Sequence, residues 1–266
     1  MNISTQFTYR KLDFDCFEII APMKERIYLV LGREKACLID TGMGIGSLLE
    51  IVRKITNLPL IVINTHGHPD HAGGNLEFGE AFVNHRDFPI YRAMVTKTYR
   101  AKDVRKIYKD KAKPFLDAMM DYLPHPLPLD DECIIDLGNR KLFSYLIPGH
   151  TLGSTVIYDS LSHFLFVGDA ISTRDTWLYL SYSTGLVTYR SSLLAFMKKK
   201  VPYSLLFSGH DPNEAKPDLF DRRIKLLDDV INRKIIGKKV TTFAGKGIRV
   251  EAYQNSLIYD PERIDK

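Results

Sequence analysis

Three histidines and an aspartate fall within six residues, in the run His66-Gly67-His68-Pro69-Asp70-His71. Three imidazoles this close repel one another when protonated and gain little from proximity when neutral. A divalent cation resolves both problems, because neutral imidazole nitrogen and carboxylate oxygen are its ordinary ligands. Gly67 and Pro69 alternate with the donors; one permits a tight backbone path and the other fixes φ. His66 and His68 can then point one way while Asp70 and His71 serve a second position.

Three further segments share a simpler pattern: an apolar run, then Gly, then a ligand type. They are Ile147-Pro148-Gly149-His150, Phe166-Val167-Gly168-Asp169 and Phe207-Ser208-Gly209-His210. With the first run they make seven donors: His66, His68, Asp70, His71, His150, Asp169 and His210. A zinc ion takes four ligands including water, so seven donors suit two divalent ions sharing a carboxylate and a hydroxide. His85, His125 and His163 lie in no such pattern and read as solvent-facing or capping residues.

The elements that must carry these residues can be read from periodicity. Strands are expected over 17–21, 27–31 and 36–40, the last ending in Asp40-Thr41-Gly42. Residues 47–55 have helical spacing, and 60–64 is a β-branched run typical of a strand buried on both faces. The His run follows directly, then a helix-like 72–76 and a strand at 81–84. Residues 87–122 read as one helix, with Val104, Ile107, Tyr108, Ala112 and Phe115 on one face and Lys102, Arg105, Lys106, Lys109 and Lys113 on the other. Further strands are expected at 133–136, 142–147, 155–159, 164–167 and 205–207. Helices are expected at 191–198 and 216–235, and 240–259 reads as a closing hairpin turning at 244–247. Mixed strands and helices with no evident linker predict one α+β domain over 1–266.

Composition sets bounds. The 266 residues are 45% hydrophobic and 26% charged, enough to build a core without metal or disulfide staples. Net charge is +5, yet residues 86–113 alone carry +7. A nucleic-acid binder would be basic more broadly, so none is expected as partner. Cys16, Cys37 and Cys133 are odd in number and far apart, which fits a reducing compartment. Residues 1–6 show no signal-peptide pattern, and no apolar run reaches membrane-spanning length. A cytoplasmic protein with no membrane partner is the expectation.

Together, His-x-His-x-Asp-His at 66–71, Pro-Gly-His-Thr at 148–151, Gly-Asp-Ala at 168–170, Ser-Gly-His at 208–210 and Asp40-Thr41-Gly42 resemble the metallo-β-lactamase-fold hydrolases, near the glyoxalase II and lactonase branches. The resemblance implies a four-layer αββα sandwich, here with a helical insertion at about 86–123. It implies His66, His68 and His150 on a first metal, Asp70, His71 and His210 on a second, and Asp169 bridging. Asp40 would orient a ligand histidine from behind. The ions implied are zinc, with iron or manganese as alternatives, and flavodiiron-type relatives are disfavoured because His68 is intact. The implied reaction is attack on a thioester, lactone or ester carbonyl by a metal-bridging hydroxide, with Asp70 passing the proton. β-Lactam hydrolysis and a mononuclear iron persulfide dioxygenase are the alternatives. The substrate would be a small molecule, and an anionic one if the basic segment is an electropositive lid and not simply a solvated face. Trp177, Tyr179, Tyr182 and Tyr189 are candidates for a pocket wall.

Overall fold

The computed structural model describes residues 6–121 and 124–264. The chain opens as an antiparallel meander of β1 (Thr8–Lys11), β2 (Cys16–Ile20), β3 (Arg26–Leu31) and β4 (Ala36–Ile39). α1 (Leu48–Ile55) then crosses over to β5 (Leu60–Ile63), parallel to β4. Ser47 starts α1 by accepting from the Glu50 amide, and Leu48 and Val52 supply its buried stripe. The short α2 (Pro69–Ala72) carries part of the His run, and β6 (Phe82–Val83) follows. The insertion comes next, as α3 (Phe88–Met94), α4 (Lys97–Tyr108) and α5 (Lys113–Asp117). β7 (Leu127–Pro128) completes a seven-stranded sheet.

A second sheet is built from β8 (Ile134–Asp136), β9 (Lys141–Leu146), β10 (Thr155–Asp159) and β11 (Phe164–Gly168). β12 (Asp175–Leu178) and α6 (Leu186–Lys198) intervene before β13 (Leu205–Ser208) adds parallel to β11. α7 (Leu219–Ile231) precedes β14 (Lys238–Thr241), β15 (Lys246–Ala252) and β16 (Asn255–Tyr259). These three strands and β12 form a third sheet in the order β12-β16-β15-β14.

Alternation along the strands sets the layers. On β3, Tyr28 and Val30 face inward against Phe166, Phe207 and Ile157 of the second sheet, and this is the core between the sheets. Ile27 and Leu29 face outward onto Leu48 and Val52 of α1. On the far side, Val156, Leu165 and Val167 pack against α6 and α7. The result is helix, sheet, sheet, helix, the expected four layers. Each fully buried Leu, Ile or Phe contributes roughly 1.5–3 kcal/mol. A buried Arg140–Asp159 ion pair adds a polar stitch, because Arg140 also donates to the Phe14 and Leu31 carbonyls.

Two expectations need correction. The long helix at 87–122 is three helices joined by a 3-10 turn, because Pro89 and Pro114 start new helices, Thr96 caps α4, and Lys109 at φ 50° ends it. Tyr122 and Leu123, at the predicted end of the insertion, lie outside the described residues. Ile107, expected on the buried face, is exposed. The closing hairpin is a three-stranded meander that recruits β12, through a parallel pairing of residues about eighty apart that local periodicity cannot announce. Among the described residues, no helix is long and apolar enough to cross a membrane, and all three cysteines are free thiols.

Candidate metal centre

β4 and β5 run parallel, and so do β9, β11 and β13 across the second sheet. Asp40, the His run, His150, Asp169 and His210 each follow the C-terminal end of one of these strands. Both sheets thus deliver their donors to one edge of the sandwich, where rigid strands hand over to loops.

The recurring Gly before each ligand has a steric cause. A Cβ at Gly149 would lie 2.3 Å from the Tyr189 ring, and at Gly168 (φ 48°) 2.2 Å from Thr65 Oγ1. At Gly209 it would lie 2.5 Å from His71 and 2.8 Å from an Asp169 oxygen. The loops pass too close to the site for any side chain in front of the donor.

The seven predicted donors converge. His68 Nδ1 lies 2.9 Å from His66 Nε2 and 2.8 Å from His150 Nε2. Beside this triad, His210 Nε2 lies 3.4 Å from Asp70 Oδ2 and 3.4 Å from His71 Nε2. Asp169 sits between the groups, 3.6 Å from His150, 3.5 Å from His71 and 3.3 Å from His210. These side chains form overlapping groups able to hold a metal ion.

Backing interactions fix which nitrogen faces the centre. His150 Nδ1 donates to the Trp177 carbonyl at 2.8 Å, which leaves its Nε2 as a bare lone pair. His71 Nδ1 donates to Asp40 Oδ2 at 2.8 Å, and the Thr65 amide donates to Asp40 Oδ1 at 2.7 Å. Thr65 Oγ1 lies 3.1 Å from His66 Nδ1 and donates to Asp40, extending the chain to a second imidazole. Burial, reinforced by the neighbouring imidazoles, pushes His66 and His68 well below the ordinary histidine value, and burial lowers His150. All three are neutral. His210 is more exposed, and against its partial desolvation the Asp169 and Asp70 carboxylates push it up to about 10. His71 is raised the same way by Asp169, Asp40 and Asp70. Burial opposes ionisation of Asp70 and Asp169, yet His71 and His210 hold both below the usual carboxylate range.

The centre fits a cation on chemical grounds. A proton on His68 Nδ1 serves one of its two neighbours and leaves the other lone pair facing it. A cation among the three nitrogens serves all of them.

Two residues carried no signal in the sequence. Asp87, buried, accepts from the Gly67 amide at 2.9 Å, the Gly153 amide at 2.7 Å and Thr151 Oγ1 at 2.7 Å, clamping the two loops that hold His66–His71 and His150. Glu25, on the β2–β3 turn, is buried beside the centre with both carboxylate oxygens unpartnered among the described residues. Burial, then Asp70, pushes its pKa up to about 7. An Asp ahead of a helix and a Glu in a turn look like ordinary caps and surface charges until the fold is known.

The donors floor a cleft of 720 Å³. Trp177, Tyr179 and Tyr182 line it, and the Tyr182 ring lies 4.9 Å from the His68 ring. Tyr189 does not: it is fully buried and donates to the Ala170 carbonyl at 2.6 Å. Of the basic residues in the insertion, Lys106 alone lines the cleft. Lys102, Arg105 and Lys109 are exposed and do not line it. His85 and His125 are exposed, and His163 pairs with Tyr158 away from the centre.

Residues 22–210 match the family described as the metallo-beta-lactamase superfamily. An acyl-coenzyme A thioesterase of Bos taurus, MBLAC2, is 28% identical over 85% of each chain, and its Homo sapiens counterpart is 27% identical over the same shares. A metallo-beta-lactamase from Pontibacter korlensis superposes with a TM-score of 0.61 at 17% identity, covering 84% of this chain and 100% of that one. The matched stretch takes in every strand end that feeds the centre and closes on His210 itself, so this chain belongs to the metallo-beta-lactamase superfamily.

Proposed function

We propose that this chain is a hydrolase that holds two zinc ions and cleaves an acyl thioester. One observation carries the reading: two groups of donors, His66/His68/His150 and Asp70/His71/His210, share Asp169. The first group would hold one ion, the second another, with Asp169 common to both. When bound, such ions polarise a carbonyl and lower the pKa of water.

The chain's own groups do the rest. Asp40 and the Trp177 carbonyl keep His71 and His150 in one tautomer and orientation. Tyr182 lines the cleft with a hydroxyl free of hydrogen bonds among the described residues. Burial raises its pKa, so it stays protonated and donates to the substrate carbonyl oxygen, where negative charge develops. Asp70 receives the proton from the attacking water. A thiolate leaves without much help from an acid, because a thiol pKa is about 8.5; an amide nitrogen needs that help. The thioester is therefore the less demanding substrate for this site, and it is the class named for the relatives, acyl-coenzyme A thioesterases.

The test is a substrate panel of acyl thioesters, lactones and β-lactams on zinc-loaded protein, with metal content measured in parallel. Two zinc ions per chain and thiol release from thioesters are expected. Preferential β-lactam opening, or a single iron with oxygen uptake, would overturn the reading.

A further inference from the structure

Two elements that contribute no donor also line the cleft. α4 presents Tyr99, Asp103, Lys106 and Ile107, a single helical face by spacing. The tip of the β14–β15 hairpin presents Phe243 and Lys246. Lys106 Nζ donates to the Phe243 carbonyl at 3.4 Å, joining the two elements across the mouth.

This rim has an unusual makeup. Phe243 is 45% exposed, at the tip of an otherwise polar hairpin, and its ring lies 5.4 Å from that of Trp177. An exposed aromatic on a second aromatic offers a face for stacking. Lys246 is exposed and has no ion pair among the described residues. The only ion pair of Lys106 among the described residues is a long one to Asp103, at 3.8 Å. Two ammonium groups and an exposed aromatic face thus line the same cleft, which is the chemistry that recognises a phosphorylated purine. The cleft volume of 720 Å³ falls in the range of about 300–1,000 Å³ filled by drug-sized ligands, far more than a small lactone needs.

We infer that Lys106 and Lys246, together with Phe243 and Trp177, form the subsite for the phosphorylated, purine-bearing end of a nucleotide-carried acyl thioester. The inference rests on the thioester reading and adds an orientation. The carbonyl lies at the histidines, and the carrier runs along Trp177 to the hairpin tip. The phosphates pair with the two lysines and the purine stacks on Phe243. The selecting residues therefore come from the helical insertion and from a hairpin beyond residue 210, not from the donors.

The experiment compares two thioesters with the same acyl group on zinc-loaded protein: acetyl-coenzyme A and S-acetyl-N-acetylcysteamine, which lacks the nucleotide. For Lys246→Ala the expected result is a KM for acetyl-coenzyme A raised about tenfold with kcat unchanged, and no change on the truncated substrate. Lys106→Gln, which keeps a donor for the Phe243 carbonyl but loses the charge, behaves likewise. Equal losses on both substrates, or none on acetyl-coenzyme A, overturn the subsite. Calorimetry with adenosine 3′,5′-bisphosphate on metal-free protein separates this inference from the thioester reading. Binding that weakens in Lys246→Ala supports the subsite even if neither thioester is cleaved, and no binding by the unsubstituted protein overturns it even if both are.

Discussion

At the residue scale, the centre divides into two chemistries. His66, His68 and His150 are neutral and present lone pairs. His71 and His210 are entangled with Asp70 and Asp169 and hold protons that a metal ion must displace. In the metal-free protein the folded-state pKa of His210 is about 10, above its ordinary 6.5. Its protonation therefore stabilises the metal-free fold fully below pH 6.5, and that contribution is lost as pH rises toward 10. The first prediction concerns metal-free protein at pH 8, where an ordinary imidazole is almost wholly neutral. Nitrogen-15 NMR of the eight histidines should show an imidazolium signature in the His71/His210 pair. Asp169→Asn should shift that signature toward neutral by removing the leading attraction. Eight neutral rings at pH 8 would contradict this account.

The donors were legible at this scale because their pattern is local: a strand, a glycine with no room for a Cβ, and a ligand. Asp40 was legible through its family motif, and the structure gives its partner as His71. Asp87 and Glu25 were not legible, since their importance comes from segments far away in sequence. Gly153, to which Asp87 is bonded, is sixty-six residues distant.

At the scale of elements, the insertion supports the centre from behind. Asp87 stands just before α3 and accepts three hydrogen bonds from the two ligand loops. Asp87→Ala would leave the Gly67 and Gly153 amides without an acceptor, and each such group costs about 1–3 kcal/mol. The second prediction is a loss of about 3 kcal/mol or more in urea unfolding, together with weaker zinc binding. Asp87→Asn keeps one acceptor oxygen and should fall between the two. If Asp87→Ala unfolds like the unsubstituted protein, the clamp has no structural role. Helix breaks were poorly legible here for a simple reason. The apolar residues of α4 and α5 keep helical spacing across the turn at 109–111, so periodicity alone runs the helices together.

At the scale of the molecule, the question is whether the third sheet is part of the sandwich or a unit of its own. Val250, Leu257 and Tyr259 of that sheet share one apolar cluster with α6, α7 and the outer face of the second sheet. The Trp177 carbonyl, on β12, holds His150, and Arg263 donates to the Leu180 and Ser183 carbonyls. Nothing in the sequence near 175–178 could announce that this strand would pair with 256–259. The sandwich itself was implied by the family resemblance, whereas strand patterning alone gave only a layered α+β fold. We propose that these shared contacts make the third sheet unfold with the sandwich, and Trp177, the only tryptophan, is a built-in probe of it. Its fluorescence reports on the third sheet and the cleft, while far-UV circular dichroism reports on all the layers. The third prediction is that the two signals share one urea midpoint, and that zinc moves both upward together by mass action on the folded state. A fluorescence midpoint at lower urea than the dichroism midpoint would mean that the third sheet opens first, taking the Phe243–Lys246 rim with it while the donors stay in place.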